Sequence, residues 1–154
     1  MIGVLKSLGV TMSTMFRKPV TIEYPTAHKK LPERDRAFPI LLYDFNVDEP
    51  FCTGCHACER ACPVECMTVT MKDNPAFAEG KSKRRKILDE FFIDYGRCMR
   101  CNICVEVCNF DAIAMNNTWA GHELSSVDRK DLVLDKDQLL AMSKQQQIRP
   151  WVPS

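Results

Sequence analysis

Eight of the nine cysteines fall into two runs of identical spacing. Cys52-Thr-Gly-Cys55-His-Ala-Cys58-Glu-Arg-Ala-Cys62-Pro-Val-Glu65 aligns with Cys98-Met-Arg-Cys101-Asn-Ile-Cys104-Val-Glu-Val-Cys108-Asn-Phe-Asp111 at an offset of 46 residues. Thiolates at this spacing bind iron–sulfur cubes. The first three cysteines of a run wrap a loop around one cube, and the turn aims backbone N–H groups at its sulfurs. The fourth starts a helix that points away and ligates the other cluster. The spacing therefore assigns Cys52, Cys55, Cys58 and Cys108 to one [4Fe–4S] cluster, and Cys98, Cys101, Cys104 and Cys62 to a second. Structural zinc favours two separated cysteine pairs and needs four ligands, so three evenly stepped cysteines plus a fourth, twice over, disfavour it.

This is the pattern of a two-cluster ferredoxin, and cross-ligation of that kind couples metal binding to folding. The ninth cysteine, Cys66, aligns with Ala112 beyond the ligand set and reads as a small buried hydrophobe. Asn109 stands where the first run has Pro63. Arg60, Arg97 and Arg100 lie in or beside the runs and could stabilise an extra electron, although solvated or salt-bridged arginines are commoner. His56 could couple electron transfer to protonation, but a loop histidine without that role is the more frequent case. Met67, Met71, Met99 and Met115 read as soft packing around the clusters. No Gly-rich nucleotide fingerprint and no defensible Ser/His/Asp or paired-carboxylate arrangement is present, so the chain is expected to move electrons without transforming a substrate.

The elements that position these residues are short. The chain has 154 residues, enough for one compact domain with arms. The expected fold class is α+β: a two-[4Fe–4S] ferredoxin core with a pseudo-twofold internal repeat, an N-terminal amphipathic helix, a proline-rich arm and a C-terminal tail. The expected domains are 1–39 (helix and docking arm), 40–116 (core) and 117–154 (extension packing on partners). In residues 1–18, Val4, Leu5, Leu8, Met12, Met15 and Phe16 recur at three- and four-residue spacing, and Pro19 stops the helix. Such a helix suits a membrane surface, a partner or its own domain. Pro19, Pro25, Pro32 and Pro39 make residues 19–39 an extended arm. Strands are expected at Leu41–Asp44, Met67–Met71, Phe91–Tyr95 and Ile113–Met115. Between the middle two lies Gly80-Lys-Ser-Lys-Arg-Arg-Lys86, read as a solvated loop or as a docking site for an acidic neighbour. Residues 117–154 read as a polar tail. It would carry a helix over Asp135–Met142 capped by Asp135, and an extended end over Gln145–Ser154 with Trp151 as a possible anchor.

The formal charge of +1 argues against a nucleic-acid binder that uses a broad basic surface. Local charge is uneven, with basic blocks at residues 1–36 and 81–100. No apolar stretch reaches the roughly 18 residues of a membrane span. No signal peptide is apparent, and a reducing compartment is expected, in which nine thiols serve as metal ligands sooner than disulfides.

Several segments beyond the cysteine runs carry a family resemblance. Phe16-Arg-Lys-Pro-Val-Thr-Ile-Glu-Tyr-Pro25, Cys62-Pro-Val-Glu65, Ile93-Asp-Tyr-Gly-Arg-Cys98 and Asp128–Leu140 resemble subunit I of the proton-pumping NADH–quinone oxidoreductases, the complex I family, over nearly the whole chain. Asn109 and Cys66 depart from that family's usual Pro and small non-cysteine residue. The resemblance implies two [4Fe–4S] clusters held by the eight cysteines, and single electrons relayed toward a terminal cluster and quinone. It implies partners in the quinone-site and membrane-arm subunits, and contact of residues 1–18 with the membrane surface. The implied location is peripheral, on the cytoplasmic face of the cell inner membrane or the equivalent organelle face. The segment Lys81–Tyr95 is similar to that of cyanobacterial and chloroplast relatives, which accept electrons from reduced ferredoxin, so the donor stays open. The alternatives are the equivalent subunit of a ferredoxin-dependent or hydrogenase-type membrane complex, and a free soluble ferredoxin. Free ferredoxins are usually small and acidic and need neither arm.

Overall fold

The computed structural model describes residues 2–32 and 35–146, and the chain forms two compact units, Met1–Lys30 and Leu31–Ser154. In the first unit, helix α1 spans Ile2–Met15. It stops short of residue 18 because the ring of Pro19 clashes with the carbonyl four residues earlier, that of Met15. Val4, Leu5, Leu8, Met15 and Phe16 are all exposed within the chain. The hydroxyls of Ser7, Thr11, Ser13 and Thr14 each donate to a carbonyl one turn back in this segment, at 2.7–2.9 Å. Residues 19–30 contain a turn but no helix or strand.

The second unit is built, in chain order, from β1 (Pro39–Leu41), β2 (Tyr43–Asp44), β3 (Glu49–Pro50), α2 (Ala57–Ala61), β4 (Met67–Asp73), α3 (Pro75–Ala78), β5 (Lys86–Asp94), α4 (Ile103–Glu106), β6 (Ile113–Met115), α5 (Trp119–His122), a 3-10 turn (Arg129–Leu132), β7 (Val133–Leu134) and α6 (Lys136–Gln146). Antiparallel strands with separate short helices make the class α+β. β1 pairs with β6, setting Ile40 against Ala114. β2 and β3 form a small hairpin. β4 pairs with β5, Thr68 opposite Phe92, and β7 extends that sheet with Leu134 opposite Ile93. The strand expected at 41–44 is divided at Leu42, which donates its N–H to the Ala112 carbonyl and accepts from the Phe51 N–H.

Phe91, Ile93, Leu41 and Leu139 are fully buried in one apolar cluster. Leu139 and Leu140 belong to α6, which packs against β1. Within residues 117–154, expected to be a polar tail, α6 thus buries two leucines against the chain's own core, and burying one leucine contributes about 2 kcal/mol. Asp135 caps α6 as expected. Its Oδ1 accepts from the Gln138 N–H at 2.8 Å, and Gln138 Oε1 accepts from the Asp135 N–H at 3.0 Å, a reciprocal capping box. The helix runs on to Gln146, so Gln145 and Gln146 are helical. The extended end carrying Trp151 lies outside the described residues.

The insert between β4 and β5 is exposed at Gly80, Lys81, Lys83, Arg85 and Lys86, as a solvated loop would be, but it is anchored at Ser82 and Arg84. Arg84 turns inward, Nη2 2.9 Å from Asp44 Oδ2 and Nη1 3.0 Å from the Pro50 carbonyl. Glu49 accepts from Ser82 Oγ at 2.8 Å and from Asn74 Nδ2 at 3.1 Å. The insert is thereby tied to the β2–β3 hairpin that leads into Cys52.

Candidate metal centre

The backbone repeats at the same offset as the cysteines. Left-handed residues occur at Gly54 and Arg100, at His56 and Asn102, and at Glu65 and Asp111, each pair 46 residues apart. The first two pairs fold each three-cysteine loop, and the third turns the chain after the fourth cysteine. Helix α2 follows His56 and α4 follows Asn102, and the two helices pack on each other. Gly54 is required as glycine: at φ +77° a Cβ would stand 2.7 Å from Met71 Cβ and 3.0 Å from the Thr70 carbonyl. The Leu88 N–H donates to the Cys52 carbonyl at 3.3 Å, fixing the loop to β5.

No disulfide joins any of the nine cysteines. Cys52, Cys55, Cys58 and Cys108 line one small cavity, partly open to solvent, with Val69 and Ile113 among its walls. Cys98, Cys101, Cys104 and Cys62 line a second, also small and partly open, with Met67 and Met115 among its walls. Each cavity thus draws three cysteines from one run and one from the other. Cys66 lines the second cavity too.

Backbone N–H groups point at the sulfurs. Gly54 donates to Cys52 at 3.4 Å, Cys66 to Cys62 at 3.5 Å, and Ala112 to Cys108 at 3.3 Å. Such donors favour thiolates and the clusters they hold. Burial acts in the opposite sense. It pushes the Cys52 thiol up to about 11, the Cys58 thiol to about 12 and the Cys104 thiol to about 12, with neighbouring thiolates adding to each. Burial also raises Cys98. At Cys62 burial pushes upward as well, but the N–H groups of Cys66 and Val64 outweigh it and the thiol is lowered. Cys66 is raised by burial and then by its neighbour Cys62. Thiolates are costly in these cavities until a cation binds them, which couples metal binding to the folded state.

The residues fit two cubes. Two separate sets of four thiols surround two apolar-walled spaces. Among the described residues no three His, Cys, Asp or Glu side chains converge as they would on one ion. Thiolates that each hold a different iron stand around a volume, not a point.

The other residues singled out from the sequence are placed as follows. His56 lines the first cavity, and its Nδ1 is 2.7 Å from Glu59 Oε2. Arg60 Nη2 lies 3.5 Å from the Cys55 carbonyl. Arg100 lines the second cavity and stacks over Phe38 at 4.6 Å. Arg97 is exposed, and Asn109 and Pro63 are both exposed. Of the four methionines, Met67, Met99 and Met115 line the second cavity, whereas Met71 packs against Gly54.

Three contacts had no signal in the sequence. Arg36 Nη1 donates to the Cys101 carbonyl at 3.1 Å, bracing the second loop from the arm. Phe38 stacks on Tyr95 at 4.3 Å, and the Tyr95 hydroxyl donates to the Pro39 carbonyl at 2.6 Å. The third is the inward Arg84 already described. All three join residues far apart in sequence, and Arg36 and Arg84 sit in charge-rich segments that local pattern reads as surface.

The family described as the 4Fe-4S dicluster domain matches residues 51–112, a span that holds all eight of these cysteines, and two [4Fe–4S] clusters are the cofactors of this chain. Among curated proteins, the chain is 35% identical over 141 residues to NADH-quinone oxidoreductase subunit I 2 of Symbiobacterium thermophilum, covering 91% of this chain and 55% of that one. It is 39% identical over 140 residues to the subunit I 2 of Streptomyces coelicolor, covering 89% and 66%. It is 30% identical over 136 residues to the subunit I 2 of Geobacter metallireducens, covering 88% and 95%. The chain thus spans just over half and just under two thirds of the first two relatives. The Geobacter relative is matched over nearly its full length, and the chain belongs to the family of NADH-quinone oxidoreductase subunit I.

Proposed function

We propose that this chain is an electron-relay subunit of a membrane-bound, complex I-like oxidoreductase, passing single electrons toward a terminal cluster and quinone. The observation that carries the reading is the pair of cavities. Each is lined by four cysteines, three from one run and one from the other. We assign Cys52, Cys55, Cys58 and Cys108 as ligands of one cluster, and Cys98, Cys101, Cys104 and Cys62 as ligands of the second. The matching left-handed residues and N–H···S bonds support a pseudo-twofold relation between the halves.

When bound, the clusters supply one-electron carriage. The chain does the rest. Apolar walls such as Val69, Ile113 and Met67 limit water. The left-handed turns aim N–H donors, Arg36 braces the loop of Cys101, and the Arg84 latch holds the approach to Cys52. The contact of α2 with α4 keeps the two sites side by side, with Cys58 close enough to Cys104 for its charge to be felt there.

The domain reading is a docking region at residues 1–39, a core at 40–116 and an extension at 117–154. Residues 1–18 are assigned to the membrane surface and the membrane-arm subunits. Two facts support this: the exposed apolar residues of α1, and hydroxyls already satisfied by their own helix, which reduces the cost of leaving water. Among the described residues no helix is long and apolar enough to cross a membrane. We place the chain's attachment on the cytoplasmic face of the inner membrane or the equivalent organelle face. The names of the relatives carry NADH or NAD(P)H together with a quinone, which supports quinone as the acceptor and leaves the donor to the test below.

The test is to tag the chain in its host, solubilise membranes in mild detergent and identify what copurifies. Quinone-site and membrane subunits in the same particle support the reading, and the input subunits present name the donor. Recovery alone in the soluble fraction, with about eight irons per chain, means a free ferredoxin.

A further inference from the structure

The ninth thiol has a partner in only one half of the molecule. Cys66 is 5% exposed and lines the cavity of Cys98, Cys101, Cys104 and Cys62. Its Sγ lies 3.5 Å from Cys62 Sγ, and its backbone N–H reaches the same sulfur at 3.5 Å. The other half supplies a comparison within the same chain. Ala112 stands at the equivalent position and donates its N–H to Cys108 at 3.3 Å, but it ends in a methyl group. The backbone bond is common to both cavities. The S–H is additional in one.

We propose that Cys66 is a positioning residue that donates its S–H to the Cys62 sulfur and thereby raises the reduction potential of the cluster in that cavity above what an alanine would give. The inference rests on the reading of Cys62 as a ligand. The direction of donation follows from that reading: a sulfur bonded to iron carries no proton, so Cys66 supplies it. A donor aimed at a ligand thiolate stabilises the more negative, reduced form of the site, because that form places more charge on the sulfurs. Hydrogen bonds around ligating groups tune a metal centre in this way. Ala112 makes the effect one-sided: with the backbone donor already present in both halves, the extra thiol gives the chain two unequal sites from a repeated framework.

The experiment is a potentiometric titration, followed by EPR, of the cluster-loaded full chain and its variants Cys66→Ala and Cys66→Ser. In Cys66→Ala, iron and sulfide content stays at the parent level. One midpoint potential moves to a more negative value and the other stays. Cys66→Ser keeps an O–H donor and lies between alanine and parent. Unchanged midpoints in Cys66→Ala overturn the proposal, as does an equal shift in the Ala and Ser variants, which would be a packing effect. Loss of one cluster from Cys66→Ala also overturns it, by making Cys66 a ligand.

A second readout needs no variant to fold. With eight thiols bound to iron, the chain keeps a single S–H. Infrared spectra of the parent should contain one S–H stretching band, shifted to low frequency by hydrogen bonding, and a band at the unbonded position sinks the inference. Failure of the ligand reading is seen separately: a Cys62→Ala chain that retains both clusters with parent EPR spectra refutes the assignment of Cys62, whatever Cys66 does.

Discussion

Arg84 Nη2 lies 2.9 Å from Asp44 Oδ2, joining residues 40 positions apart and anchoring an insert that its charges alone would place in solvent. Asp44 and Glu49 are both buried beside it. Arg84→Ala leaves Asp44 without its charged partner, while Glu49 keeps the donors Ser82 and Asn74. The expected cost is about 2–3 kcal/mol, just below the usual range for breaking a buried pair, because 23% of the Arg84 side chain remains exposed. The measurement is the temperature at which cluster absorbance is lost, which should fall. Lys83→Ala, on the exposed side of the same loop, should change stability by less than about 0.5 kcal/mol.

Cys108 and Cys62 test the crossing of the two halves. Cys108→Ala removes a thiol from the cavity of Cys52, Cys55 and Cys58, although Cys108 belongs to the other run. Its first spectroscopic loss should be the cluster facing Cys52. Cys62→Ala should first lose the cluster facing Cys98. Mössbauer or EPR spectra of the two variants decide, and the reverse pattern contradicts the ligand assignment.

Gly54 and Gly80 separate two costs of a side chain. Both have positive φ, +77° and +70°, but a Cβ at Gly54 meets Met71 and Thr70, whereas at Gly80 it meets open space. Gly54→Ala should cost about 3 kcal/mol from strain and overlap together. Gly80→Ala should cost about 1 kcal/mol from the backbone alone. Thermal loss of cluster absorbance ranks the pair.

Iron removal should unfold more than the loops. Thiols pushed upward by burial at Cys52, Cys58 and Cys104 show how little the cavities favour unbound thiolates, and the core around them is small. Chelation under reducing conditions is expected to abolish near-ultraviolet circular dichroism together with cluster absorbance. Persistence of the near-ultraviolet signal would mean a core that stands without metal.

The cysteine runs were legible because ligand spacing is a local property: three-residue steps fix a loop whatever surrounds it. The Asp135 cap was legible for the same reason, since its partner Gln138 lies three residues on. The division of the first strand at Leu42 was not, because the cause is the distant Ala112 carbonyl. Nor was the burial of Leu139 and Leu140, which sit among lysines, glutamines and aspartates in a segment whose composition suggests a solvated tail. β7 has two residues and takes its identity from pairing with Ile93 and Asp94. Arg36 and Arg84 share one limitation: charge in sequence indicates cost, and only the fold indicates whether a partner meets it.

Because each cavity takes one cysteine from the opposite run, neither half alone supplies four cysteines to one cavity. A chain broken between Cys62 and Cys98 would yield two fragments, each with three thiols of one site and one of the other, and neither would hold a complete set. The repeat therefore looks modular in sequence while being indivisible in assembly. The smallest unit with a full set of four cysteines around each cavity is the pair.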